Sequence, residues 1–415
     1  MRTVPERCVR QKQPPSRAAD GPRGRRLYGG GRSTLPTASV AEYSVVDRFS
    51  SAVPASPALG RLIVDLDALV SNYRSLCRLA PGRTVAAVVK ADAYGLGAEA
   101  VSMALAAAGC ETYFVATVDE ALGLRARLPA AVIYSLGGVP GDSAPQLAAA
   151  RIRPVLNSLS DASKWAAVGR EHPAALQIDT GLTRSGFDAD ELGELLAVPG
   201  LPARLNLALL LTHYACADEP ERPENRRQLE AMGVLAAAVG PLPTSIANSS
   251  GVLLGPDFQG DVVRPGLALY GGIANPGSAF ALREVVRLEA RVLQRRRVAT
   301  ARRVGYGAAA EVPAGTTLAV LGVGYADGYP RSLGDGVGSA LVDGRPAPVV
   351  GRVSMDLTVI DVSRLPATAA AEGDYVTLLG GGLALEDVAR AAGTIGYELL
   401  TGIGGRVRRE YRPVR

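Results

Sequence analysis

Residues 84–97 read T-V-A-A-V-V-K-A-D-A-Y-G-L-G. An apolar, β-leaning run ends on a lysine, and a glycine-bearing turn follows. A strand that is apolar along its length is buried on both faces, as in a parallel sheet covered by helices. Seven more such runs follow at 112–117, 131–136, 152–157, 175–180, 208–213, 244–249 and 262–270. Between them lie stretches with helical periodicity, among them D-E-A-L-G-L-R-A-R-L (119–128) and N-R-R-Q-L-E-A-M-G-V-L-A-A-A-V (225–239). Strands alternating with helices imply parallel βαβ units. Eight units within about 220 residues imply an α/β fold of the (β/α)8 TIM-barrel type. The alternative is an open doubly wound sheet, which needs a G-x-G-x-x-G turn after an early strand. No such turn occurs there.

Beyond about residue 280 the rhythm changes. L-E-A-R-V-L-Q-R-R-R-V (288–298), T-L-A-V-L-G-V-G-Y (317–325) and Y-V-T-L-L-G-G (375–381) read as strands joined by tight turns, and V-D-G-R (342–345) is a hairpin signal. The expected division is a basic N-terminal extension at 1–55, a barrel at 56–280 and a mostly β domain at 281–415.

Composition narrows the function classes. The chain has 415 residues, 47% hydrophobic and 20% charged, which describes a globular protein. Its net charge of +5 comes from the start of the chain. Residues 1–37 hold nine basic and two acidic side chains, and the rest holds 36 basic and 38 acidic. The globular part therefore lacks the basic bias of a nucleic-acid binder. The extension is rich in Pro, Gly, Arg and Ser and is expected to be disordered. It lacks the apolar core of a secretory signal; a transit peptide or an upstream start codon would each explain it. No run approaches the ~20 apolar residues of a membrane span. Four scattered cysteines (Cys8, Cys77, Cys110, Cys216) read as reduced thiols in a cytoplasmic protein. Two histidines and no cysteine pair predict no metal site.

Barrel active sites form at the carboxyl ends of the strands. The polar residues there are Lys90 and Tyr94 after the first strand, Arg184 after the fifth, His213 at the sixth, Asn248–Ser250 at the seventh and Arg264 in the eighth. Each has a plain reading: a snorkelling lysine, a satisfied core histidine, arginines in structural ion pairs, and Cys216 near His213 as an inert thiol. The lysine count weighs against the first. Of 45 basic side chains only Lys12, Lys90 and Lys164 are lysines. Arginine stays protonated, whereas a desolvated lysine acts as a base and forms an imine. That chemistry points to pyridoxal phosphate. The loops N-S-S-G (248–251) and G-L-A-L-Y-G-G (266–272) offer hydroxyls and close-approaching backbone for its phosphate.

These stretches resemble the alanine racemases. The likeness runs from about Arg61 to Tyr411. V-V-K-A-D-A-Y-G-L-G (88–97) is similar to that family's cofactor-lysine motif. It is joined by I-D-T-G-L-T-R-S-G (178–186), L-T-H-Y-A-C-A-D (211–218), A-N-S-S-G (247–251) and V-R-P-G-L-A-L-Y-G (263–271). The second domain adds V-G-Y-G-A (304–308), V-G-Y-A-D-G-Y-P-R (323–331) and G-R-V-S-M-D (351–356). The resemblance implies a barrel with a C-terminal β domain, arranged as a homodimer with shared active sites. It implies racemisation of alanine with pyridoxal phosphate, supplying D-alanine for peptidoglycan.

By the same resemblance Lys90 carries the cofactor as a Schiff base and is the base on the D-alanine face. Tyr306, reaching into the partner's barrel, is the base for L-alanine, assisted by His213 and Arg264. Arg264 faces the pyridine nitrogen. Tyr94, Ser249, Gly266 and Leu267 hold the phosphate. Arg184 and the Met355 N–H bind the substrate carboxylate, Asp356 supports that corner, and Tyr325 stands at the substrate entrance. Three positions depart from the pattern. Gln177 replaces a lysine that some members carry as a carbamate, and Ser354 replaces a cysteine. Gly405 is expected where some members place a pocket-limiting tyrosine, which would widen substrate choice. Competing readings are a broader racemase acting on serine, a decarboxylase of related barrel fold, and a non-catalytic pyridoxal-phosphate-binding protein.

Overall fold

The computed structural model describes residues 57–272 and 280–414, so the extension expected at 1–55 lies outside the described residues. Strand β1 (Gly60–Asp65) ends on Asp65, whose carboxylate accepts the Ala68 N–H and caps the helix Leu66–Leu79. The barrel strands follow: β2 (Thr84–Val85), β3 (Ala87–Val88), β4 (Thr112–Val115), β5 (Val132–Ser135), β6 (Arg153–Leu156), β7 (Pro173–Gln177), β8 (Asn206–Leu211), β9 (Thr244–Ser245) and β10 (Val262–Val263). Strands β3 to β9 make one parallel sheet in chain order.

The ring closes through the stretch containing Lys90. β2 and β3 form one run interrupted at Ala86. Thr84, Ala86 and Val88 donate to the carbonyls of Asp261, Val263 and Pro265, while Val89 donates to Phe114 on the other side. Arg264 N–H donates to Ala247 O at 2.8 Å, joining the eighth strand to the seventh. Closure leaves no exposed barrel edge, so the expected (β/α)8 barrel is the observed one. The eighth strand is shorter than its apolar run of 262–270. Pro265 has no N–H to extend the ladder, and 266–271 fold into turns. Crossing helices begin on caps written in the sequence: Thr117 with Glu120, and Asp188 with Glu191.

The second domain is built on a twelve-residue strand, β11 (Val286–Arg297). β1 pairs antiparallel with β11 and parallel with Arg408–Arg412. It therefore belongs to the second sheet, although it falls within the span expected for the barrel. It is not among the runs read as strands; its partners show both that it is one and to which sheet it belongs. The expected hairpin joins Ser339–Val342 to Arg345–Pro348, with Asp343 and Gly344 at φ 49° and 75°, the left-handed pair such a turn requires. No helix among the described residues is long and apolar enough to cross a membrane.

Candidate active site

A cavity of about 580 Å³ lies at the carboxyl ends of the barrel strands. Lys90, Tyr94, Arg184, His213, Ser249, Arg264 and Gly266 all line it. Phe114, Gln177 and Tyr397, not singled out as lining from sequence, line it too.

Lys90 opens a strained segment. Ala91, Asp92, Ala93 and Tyr94 are consecutive non-glycine residues with φ between 52° and 57°, a left-handed turn. Each costs about 1–2 kcal/mol relative to the right-handed form. Local bonds offset this. Glu120 accepts the Ala91 N–H at 2.6 Å as well as the Ala116 N–H at 2.7 Å. Asp92 accepts the Ala98 N–H at 2.7 Å, and Gly95 N–H returns to Ala91 O at 2.8 Å. Burial pushes the Lys90 amine below its ordinary value; Arg184 and Arg264 add to this against the pull of Glu120.

Half-buried His213 pairs with buried Arg264. Arg264 is 5% exposed; it donates to Thr212 O at 2.6 Å, to the Ser245 hydroxyl and to Nδ1 of His213 at 3.2 Å. A guanidinium only donates. Nδ1 therefore accepts, and the neutral ring carries its proton on Nε2. Burial, then Arg264, Arg184 and Lys90, push His213 down to about 3. Burial and Arg184 lower Arg264 to about 10, so it stays charged at neutral pH. Neither Arg184 nor Arg264 has a carboxylate ion-pair partner among the described residues.

The opposite wall supplies hydroxyls. Ser249 Oγ accepts from the Gly266 and Ala268 N–H groups at 3.0 and 3.1 Å. Its own proton is thus left to donate. A side chain at Gly266 would collide with the Tyr94 hydroxyl. Leu267 is buried and lines a neighbouring cavity of about 470 Å³ rather than this one. Arg184 sits on a loop organised by Asp179, which accepts from Gly181 and Leu182 at 2.8 and 2.9 Å. Burial pushes the Asp179 carboxyl up, but the N–H groups of Gly181, Thr183, Leu182 and Arg184 outweigh it and hold it low. Gln177 is buried beside Gly186, where a Cβ would lie 2.5 Å from its Cγ.

Tyr306, Tyr325, Met355 and Asp356 do not line the cavity within their own chain. They cluster elsewhere, around the loop 351–356. Tyr306 is 70% exposed and tips a ribbon of Arg302–Val304 and Ala310–Val312, with Gly305 packed on Arg352. Tyr325 N–H donates to Ser354 O at 3.0 Å, and Ala326 N–H to Met355 O at 2.9 Å. Asp356 pairs with Arg406 at 2.8 Å, and Arg406 also holds Asp327 at 2.9 Å.

Gly405, expected where some members place a pocket-limiting tyrosine, leaves open space. It does not line the cavity, and no atom lies within 4 Å of a Cβ placed on it. The tyrosine in the wall is Tyr397, in the first turn of the helix Gly396–Thr401, its ring 5.8 Å from that of Tyr94. The short helix turns residues eight positions earlier toward the barrel. A tyrosine opening the last helix, in T-I-G-Y-E, was the available signal.

Fold and site together define a two-domain barrel enzyme built around one lysine amine in a cationic cavity. Residues 64–274 match the family model described as the alanine racemase N-terminal domain, and residues 285–411 match the alanine racemase C-terminal domain. An alanine racemase of Rhodospirillum rubrum is 46% identical over 360 residues, covering 85% of this chain and 96% of that protein. A catabolic alanine racemase of Agrobacterium fabrum is 45% identical over 362 residues, covering 86% and 93%. The crystal structure of the Bartonella henselae alanine racemase with covalently bound pyridoxal phosphate superposes with a TM-score of 0.82 at 38% identity, covering 86% and 100%. The chain belongs to the alanine racemase family, pyridoxal-phosphate-dependent isomerases that act on amino acids.

Proposed function

We propose that this protein interconverts L- and D-alanine with pyridoxal phosphate held on Lys90, as a homodimer with shared sites. One observation carries the reading: the Lys90 amine shares a cavity with two arginines that no carboxylate among the described residues neutralises. Mutual repulsion among these cations is relieved by an anionic occupant, and a phosphate-bearing aldehyde meets both the amine and the field. Ser249, Tyr94 and the backbone at Gly266 and Leu267 would hold the phosphate. When bound, the cofactor supplies an electron sink that acidifies the substrate Cα–H.

The protein residues then determine the outcome. Arg264 would face the pyridine nitrogen and, because it does not surrender its proton, would temper the sink and disfavour side reactions. Arg184 would bind the substrate carboxylate, with Met355 N–H and Asp356 of the partner subunit completing that corner and Tyr325 of the partner subunit at the entrance. Racemisation needs a base on each face of Cα, one removing a proton and the other returning one. Lys90 Nζ, depressed by burial, serves the D-alanine face. Tyr306 of the partner subunit serves the other. A tyrosine ordinarily titrates near pH 10, and His213, with its proton on Nε2 and its Nδ1 on Arg264, would tune it.

Tyr397 in the cavity wall supports alanine as the substrate, and the open space at Gly405 keeps a broader racemase acting on serine as the alternative. D-alanine for peptidoglycan, made in the cytoplasm, is the proposed role. Purified protein with pyridoxal phosphate should convert L-alanine in D₂O to D-alanine carrying α-deuterium, with L-serine turned over more slowly. A yellow protein yielding neither product would transfer Lys90 to the non-catalytic reading.

A further inference from the structure

The strained turn after Lys90 is held from both ends, and the second grip comes from the other domain. Glu120 holds the Ala91 N–H on the barrel side. Beyond the turn, Arg409 Nε donates to Gly95 O at 3.0 Å, and the Tyr411 hydroxyl donates to Leu96 O at 3.0 Å. Both lie on the strand Arg408–Arg412, two residues apart and so on one face of it. The rest of the Arg409 guanidinium is bonded to the carbonyls of Ile403, Gly404 and Val407, and no carboxylate ion-pairs with it among the described residues. Its charge serves as a clasp for carbonyls.

The loop is shaped for this grip. A Cβ at Gly95 (φ 82°) would lie 2.8 Å from Leu400 O, and one at Gly97 (φ 100°) would run into the Tyr411 hydroxyl. Backbone in sparsely populated conformations persists only where its surroundings over-determine it.

We propose that Arg409 and Tyr411 are positioning residues for Lys90: by clasping Gly95 and Leu96 they hold the left-handed turn that sets the direction of the amine. Docking of the C-terminal strand on the barrel loop thereby becomes a condition for a correctly placed cofactor lysine. This rests on Lys90 being the cofactor lysine. Neither residue touches the cavity, so each acts through the turn.

The test uses full-length, cofactor-loaded protein with Tyr411→Phe, Arg409→Lys and Arg409→Met. Amide exchange over 91–97 should quicken by about tenfold in Tyr411→Phe and further in Arg409→Met, while exchange over 113–115 and 209–211 stays at the wild-type rate. Pyridoxal phosphate should dissociate several-fold faster, and kcat for alanine should fall with KM changed less than about twofold. Arg409→Lys should recover part of each effect. Wild-type exchange over 91–97 and wild-type cofactor release, with only the melting temperature lowered, would reduce the pair to a staple between domains and overturn the proposal. Should Arg409→Met fail to fold, Tyr411→Phe decides alone, since it removes one oxygen. A wild-type protein that takes up no pyridoxal phosphate would sink the reading of Lys90, while the exchange comparison would still decide the clasp.

Discussion

Arg264 donates to Nδ1 of His213 across 3.2 Å, and the buried guanidinium is itself held by Thr212 and Ser245. A histidine held beside a permanent cation cannot share the role of proton carrier at neutral pH. It keeps one tautomer, and its Nε2 stands 3.4 Å from the Asn248 amide nitrogen.

The pair makes stability depend on acid. His213 titrates near 3 in the folded state, below its ordinary 6.5. Between those values the unfolded chain binds a proton that the folded one refuses. The contribution is therefore intact above about pH 6.5 and lost as pH falls toward 3, at up to ~1.4 kcal/mol per pH unit. His213→Gln should flatten that slope in urea unfolding compared at pH 5 and pH 7. An unchanged slope would mean that the histidine is not held neutral.

Shared sites predict complementation. Lys90→Ala should lose the visible absorbance of bound cofactor and all turnover. Tyr306→Phe should keep the absorbance, fail mainly in removing the α-proton of L-alanine, and so lose racemisation in both directions. Mixing the two inactive proteins under exchange conditions should restore about a quarter of wild-type activity, because half the dimers are mixed and each has one intact site. No recovery from subunits that demonstrably exchange would place Tyr306 outside the partner's site.

Tyr397 stands between two cavities, lining both the Lys90 cavity and its neighbour. Burial pushes its hydroxyl up to about 12, with Asp218 adding to the effect, so it remains a neutral wall. Tyr397→Ala should open the space and raise turnover of serine relative to alanine by about tenfold, of the order a hydrophobic pocket can discriminate. An unchanged ratio in steady-state assays would show that Tyr397 does not limit side-chain size.

Gly95→Ala should cost more than Gly109→Ala. Both glycines have positive φ, 82° and 95°, and pay a similar conformational penalty of about 1–2 kcal/mol. Only Gly95 also sets a Cβ 2.8 Å from a backbone carbonyl, that of Leu400; nothing lies within 4 Å at Gly109. Denaturant midpoints of the two variants measure the difference, and equal losses would remove the packing argument.

How far the sequence could be read depended on the range of the interaction. Barrel strands announce themselves because an apolar run buried on both faces is a local property, and the V-D-G-R turn because φ preference is local too. Lys90, His213 and Arg264 were found because barrel geometry sends strand ends to one mouth. Tyr397 was passed over because which turn of a short helix meets the barrel is a matter of packing. Glu120 and Arg409 carry no local signal of their role, since the partners that matter are backbone groups 29 and 314 residues away.

By itself the sequence determined the alternation that makes a barrel, the placement of a scarce lysine at a strand end, and the chemistry such an amine invites. Tertiary structure alone decided that β1 belongs to the second sheet, that Tyr306 faces outward from its own chain, and that the Lys90 turn is gripped by the last strand. The physical reason is the same in each case. Periodicity and side-chain chemistry act along the chain, whereas the choice of partner is made by closure, burial and hydrogen-bond satisfaction across distances that the chain order does not encode.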